Sequence, residues 1–209
     1  MGVCYIVGAG EGFVPFSAER DDLVIAADGG CRHLATVGMR PHAVIGDMDS
    51  CDAPPEGVPQ LRHPVRKDDT DMGLALRYAL SRGYRSIVLL GALGGREDHT
   101  FANYHLLFDA KRQGADVRIL SESTEVRCIR NETVTLLGRE GDTLSLFAYG
   151  GEARGVTLSG TSYPLTDGTL TPAFPLGVSN VFAGACVSVC VRDGALLCFH
   201  VRSINEKNG

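Results

Sequence analysis

Near residue 122 the spacing of apolar residues changes from a mixed strand-and-helix pattern to an almost pure strand pattern, and that break most limits how the chain can fold. Up to Ser121 short β-branched apolar runs alternate with Gly- or Asp-rich turns and helical spacing. The runs are Val3 to Val7, Leu23 to Ala27, Ala43 to Ile45, Ser86 to Leu90 and Val117 to Leu120. This is how a parallel α/β sheet reads. Met72, Leu76, Ala79 and Leu80 follow helical spacing, with Thr70 or Asp69 as cap and Gly83 as the stop, and a second helix runs from about His99 to Gln113, closed by Gly114. The four prolines between Cys51 and Pro64 exclude helix there and predict an extended connection.

Beyond Ser121 short strands alternate with turns: Glu125 to Ile129, Thr133 to Leu137, Thr143 to Tyr149, Gly155 to Leu158, Ala185 to Val191 and Ala195 to Val201. Asp193-Gly194 between the last two predicts a tight hairpin with positive φ at both turn positions. The expected architecture is an α/β parallel-sheet domain over residues 1–122, followed by an all-β antiparallel sandwich or barrel domain over 123–209.

A chain of 209 residues, 44% hydrophobic and 22% charged with net charge −5, can bury a core and has no basic field to hold nucleic acid. Seven scattered cysteines without a C-x-x-C pair argue against a disulfide framework or zinc site. With no leader pattern at the N-terminus, they predict a cytoplasmic protein. The uncharged stretch between Asp167 and Arg192 is long enough to cross a bilayer, but its prolines and the period-two run Val187 to Val191 read as turns and strands, so no membrane is expected.

Three acidic turns each follow an expected strand: Asp28-Gly29-Gly30, Gly46-Asp47-Met48-Asp49-Ser50 and Gly94-Gly95-Arg96-Glu97-Asp98-His99. In open α/β sheets such turns converge at the carboxyl ends of the strands, where ligands bind, although Asp and Gly are also what ordinary turns prefer. Asp47 and Asp49, two apart, direct two hard oxygens to one side and suit Mg2+ better than a solvent-facing turn, because a further cluster, Asp68-Asp69-Thr70-Asp71, follows. Three acids in four residues exceed what a helix cap needs. Lys67 serves either a phosphate or a surface ion pair. Gly94-Gly95-Arg96 entering a helix offers N–H groups and a guanidinium to phosphate, and Asp98 and His99 either meet the ligand or cap the helix. Gly8-Ala9-Gly10-Glu11-Gly12 lacks the third glycine of a dinucleotide fingerprint, which argues against a nicotinamide enzyme and leaves a tight turn bordering a nucleotide.

ADGG at 27 to 30, GDMDS at 46 to 50, KDDTDM at 67 to 72, GALGGREDHTFAN at 91 to 103, SYPL at 162 to 165 and GVSN at 177 to 180 together resemble the thiamine diphosphokinase (thiamine pyrophosphokinase) family over nearly the whole chain. The resemblance implies an α/β parallel-sheet nucleotide-binding domain followed by an all-β antiparallel sandwich domain, and Mg2+-dependent transfer of diphosphate from ATP to the thiamine hydroxyl, releasing AMP, by a homodimer with thiamine bound where the subunits meet. It also implies metal binding by Asp47, Asp49 and Asp71, with Asp28 and Asp68 nearby. Arg96 and Asp98 fall on the ATP side, and Tyr163, Ser179 and Asn180 on the thiamine side. Either Asp71 or Asp98 is then placed to accept the hydroxyl proton. The GDxDS pattern also resembles a 6-hydroxymethylpterin diphosphokinase, and a non-catalytic nucleotide or thiamine sensor is the alternative of a different class.

Overall fold

A computed structural model of the chain describes residues 2–46, 56–62 and 69–203. Two compact units, Met1–Glu122 and Ser123–Gly209, divide it. The first unit runs β1 (Cys4–Val7), β2 (Leu23–Ala27), α1 (Gly30–Thr36), β3 (Ala43–Gly46), β4 (Gln60–Arg62), α2 (Asp71–Ser81), β5 (Ser86–Leu90), α3 (Glu97–Arg112) and β6 (Asp116–Leu120). Its strands lie in the order β6-β5-β1-β2-β3-β4, every neighbouring pair parallel. Val24 to Ala27, Ala43 to Ile45 and Ile87 to Leu90 are buried without alternation, as strands covered on both faces require. The chain builds outward from β1 through β4, then returns to the other side of β1 with β5. The order therefore reverses between β1 and β5.

Of the two caps proposed for α2, Thr70 fills the position, its Oγ1 accepting the N–H of Gly73 at 3.1 Å. Gly83 follows this helix at φ 89°, and Gly114 follows α3 at φ 78°. Two elements of this unit escaped the sequence reading. Helix α1 is seven residues long, opens on glycine and has no side-chain cap; β4 is a three-residue strand at the end of the proline-rich stretch.

The second unit comprises β7 (Thr124–Arg130), β8 (Thr133–Leu137), β9 (Thr143–Ala148), β10 (Ala153–Ser159), β11 (Leu165–Leu170), β12 (Gly177–Val181), β13 (Cys186–Cys190) and β14 (Ala195–Val201). Antiparallel pairing gives two sets, β12-β9-β14-β7 and β11-β10-β13-β8. One core draws Ile129, Leu144, Leu146 and Leu196 from the first and Val156, Leu158, Val187 and Val189 from the second. The Asp193-Gly194 hairpin is not formed. β13 pairs with β8 and β10, whereas β14 pairs with β7 and β9, so the link passes between sheets. Only Gly194 takes positive φ, 106°. The link is instead tied elsewhere: the Asp193 carbonyl accepts the Arg154 N–H at 2.7 Å, and Gly194 N–H donates to Asn131 Oδ1 at 2.9 Å. The uncharged stretch contributes β12 and β13, and among the described residues no helix is long and apolar enough to cross a membrane.

Candidate functional site

A cavity of about 390 Å3 opens at the carboxyl ends of β1, β2 and β5, where Gly8, Asp28 and Gly91 leave the sheet. It lies at the reversal of strand order, the usual ligand position in an open parallel sheet. Gly8 N–H donates to the Leu90 carbonyl and Gly10 N–H to that of Gly91, both at 2.8 Å, so the two loops lie against each other. A Cβ on Gly91, which sits at φ 56°, would fall 2.5 Å from the Gly8 oxygen. Only glycine permits that approach. Gly8, Ala9 and Gly10 thus wall the cavity although they do not spell a dinucleotide fingerprint.

Asp28 enters from the end of β2 in left-handed backbone, φ 43°, its N–H bonded to the Ile45 carbonyl at 2.8 Å. Its Oδ1 is buried and accepts no hydrogen bond among the described residues. Gly29 and Gly30 then turn the chain into α1, which presses so closely on β1 that a Cβ on Gly30 would lie 1.8 Å from the Val7 oxygen. Asp71, the first residue of α2, lines the same cavity. Asp69 is occupied differently, ion-paired with Arg77 and accepting the Thr70 N–H at 2.9 Å. Asp47, Asp49, Lys67 and Asp68 lie outside the described residues, and among those described no three His, Cys, Asp or Glu side chains converge on a metal position.

Gly94 and Gly95, at φ 77° and 72°, carry the chain from β5 into α3, and Arg96 occupies the N-cap position without a side-chain capping bond. Its guanidinium instead grips Asp98 with both prongs, Nε to Oδ1 at 3.1 Å and Nη2 to Oδ2 at 2.6 Å. The Arg96 hydrogen bond holds the Asp98 carboxyl below its ordinary value against desolvation, helped by the His99 N–H at 3.0 Å. Arg96 and His99 line the cavity with Gly94 and Gly95. Met72, Thr100 and Asn103 join them; all three fall within the quoted motifs, but none was given a role at the site. Asn103 is buried and donates Nδ2 to the Ala92 carbonyl at 2.7 Å, pinning the glycine-rich loop to α3. Its place at the end of the GALGGREDHTFAN motif is the one signal that could have found it, since an Asn within a helix carries none by itself.

In the second unit a cavity of about 230 Å3 brings together Tyr163, Ser179 and Asn180 beside Leu146, Leu165 and Leu176. Tyr163 is 70% exposed at its rim. Ser179 stands at φ 58°, its N–H donated to Ser145 Oγ at 3.0 Å. Asn180 is buried, with its amide bonded to the backbone of Tyr163.

Comparison with known proteins agrees with both halves. Residues 17–119 match the family model for the thiamin pyrophosphokinase catalytic domain, and residues 124–196 that for the thiamin pyrophosphokinase vitamin B1 binding domain. The thiamine pyrophosphokinase of Bacillus subtilis (strain 168) is 27% identical over 169 residues, spanning 78% of this chain and 79% of that protein. A crystal structure of the Bacillus subtilis enzyme superposes with a TM-score of 0.87 at 23% identity, covering 97% of this chain and all of that one. The Geobacillus thermodenitrificans enzyme superposes at 0.83 with 27% identity, over 97% and 99% of the two chains. The yeast enzyme shares the fold at 0.71 and 14% identity, over 96% of this chain and 86% of that one. With both family models matched in order along one chain, this protein belongs to the thiamine pyrophosphokinase family of diphosphotransferase enzymes.

Proposed function

We propose that the chain moves the terminal diphosphate of ATP onto the hydroxyethyl oxygen of thiamine, releasing AMP. Residues 1–122 hold ATP and Mg2+, and residues 123–209 hold thiamine and pair the subunits. The observation that carries this reading is the cavity where strand order reverses, walled by glycine-rich loops on one side and by Asp28 and Asp71 on the other. Loops of that kind present backbone N–H groups to phosphate at the start of α3, and Arg96 adds a planar two-pronged donor once Asp98 yields it. Asp98 orients that guanidinium before the nucleotide arrives.

The buried, unpartnered Oδ1 of Asp28 and the Asp71 carboxylate are hard oxygen donors that fit Mg2+, and the family motifs add Asp47, Asp49 and Asp68 to that set. Bound there, Mg2+ supplies positive charge to the phosphate oxygens. The remaining work is positional: Gly94, Gly95, Arg96, His99 and Lys67 hold the phosphate chain in line for attack by the alcohol. In the second cavity the face of Tyr163 suits a cationic thiazolium ring, and Leu146, Leu165 and Leu176 supply an apolar floor. Phe174, Leu176 and Val178 lie exposed, as Tyr163 does, and the apolar surface they expose fits coverage by a second copy in a homodimer. Dependence on ATP suits a cytoplasmic setting.

The match of residues 124–196 to a vitamin B1 binding domain supports thiamine over a neutral pterin. Incubation with ATP, Mg2+ and either thiamine or 6-hydroxymethylpterin tests this. AMP and thiamine diphosphate are expected. Turnover with the pterin alone overturns the substrate, and thiamine binding without AMP formation would leave a sensor.

A further inference from the structure

Asn180 follows the left-handed Ser179 in β12 and is 7% exposed. Its carboxamide closes on the backbone of Tyr163 and of Val181. Nδ2 donates to the Tyr163 carbonyl at 2.6 Å, and Oδ1 accepts the N–H of Tyr163 at 3.1 Å and that of Val181 at 2.9 Å. The amide orientation is settled by these partners, because a flip would set donor against donor twice and oxygen against oxygen once. Neighbouring bonds join the same two segments: Ser162 N–H to the Val181 carbonyl at 2.9 Å, with an isolated bridge between Thr161 and Phe182.

The Tyr163 ring, 70% exposed, is not locked by packing, so its place at the cavity rim is set by its backbone. We infer that Asn180 is a positioning residue for thiamine, acting through Tyr163 by clasping its main chain, and not a residue that touches the substrate. This rests on the reading that the second cavity takes thiamine. A direct contact would instead use the second Nδ2 hydrogen, which the clasp leaves uncommitted.

The two roles separate in a double-mutant cycle on the full chain. Thiamine binding is measured by calorimetry without ATP, and KM for each substrate and kcat are measured at saturating partner. Asn180→Ser and Tyr163→Ala are each expected to weaken thiamine binding about tenfold, with KM for ATP unchanged. The double variant is expected to bind no more weakly than Tyr163→Ala alone, since a clasp has nothing to position once the ring is gone. Losses that multiply in the double variant, or a harmless Asn180→Ser, overturn the inference while leaving the proposed function intact. Wild-type protein that binds no thiamine overturns both. Circular dichroism checks folding, and Asn180→Asp, which keeps the shape and loses the donor to the Tyr163 carbonyl, replaces Asn180→Ser in the cycle if that variant does not fold.

Discussion

Asp142→Asn should destabilise the protein by about 2 kcal/mol at neutral pH, and the loss should fade in acid. Asp142 lies in the turn between β8 and β9 with its side chain 2% exposed. Oδ1 accepts the N–H and Oγ–H of Ser203 at 2.9 and 3.1 Å, and Oδ2 accepts the Arg139 N–H at 2.9 Å and His200 Nε2 at 2.8 Å. An ionised carboxylate can only accept, so His200 donates here. Burial pushes the Asp142 carboxyl up, but the bonds from Ser203, His200 and Arg139 outweigh it and bring the value from 3.8 down to about 2. That displacement is worth roughly 2 kcal/mol. A carboxyl depressed in the folded state stabilises above its unfolded value, and the contribution disappears as pH falls through the folded value. With the carboxylate replaced by a carboxamide, an NH2 group would face two of the four donors. Urea unfolding of both proteins followed by circular dichroism should give the full gap at pH 7, roughly half of it at pH 3 and little near pH 2. A variant within about 0.5 kcal/mol of wild type at pH 7, or a gap as large at pH 3 as at pH 7, refutes the reasoning.

Gly30→Ala places a Cβ against the Val7 oxygen, so it should lower Tm by more than about 10 °C or prevent folding; a thermal melt decides. Asp28→Asn should leave Tm unchanged and reduce turnover about a hundredfold at limiting Mg2+, because the buried Oδ1 loses its charge; normal rates across a Mg2+ titration would remove Asp28 from the metal side. Arg96→Lys replaces a fork by a point charge, and kcat/KM for ATP should fall about tenfold or more. Asn103→Ala orphans the Ala92 carbonyl, which should cost about 1–3 kcal/mol and raise KM for ATP without changing KM for thiamine; paired steady-state titrations check the split.

Where apolar pattern and turn chemistry agree, the fold was legible. β1, β2, β3 and β5 are short β-branched runs, and α2 has both its Thr70 cap and its Gly83 stop. Elements without that agreement were missed. β11, Leu-Thr-Asp-Gly-Thr-Leu, and β12, Gly-Val-Ser-Asn-Val, hold few apolar residues, their pairings are interrupted by register shifts, and Asp167 and Ser179 take positive φ. Asp193-Gly194 reads as a hairpin because a dipeptide does not reveal which sheet the next strand joins; distant pairing decided it. At the site, convergence of Asp28, Asp71 and Gly94 to Arg96 was readable, because turns after parallel strands share one edge. Gly8 to Gly10, expected as a tight turn beside a nucleotide, wall the cavity without a third glycine, because the cavity needs only two loops in close approach.

The proposed function requires the thiamine hydroxyl to attack the β-phosphorus of ATP. Thiamine carrying 18O in its hydroxyl group, converted in a single turnover with ATP and Mg2+, tests this most directly when both products are weighed by mass spectrometry. Thiamine diphosphate that retains the label, together with unlabelled AMP, is the expected result. Thiamine monophosphate with ADP, or a diphosphate product that has lost the label, would contradict it.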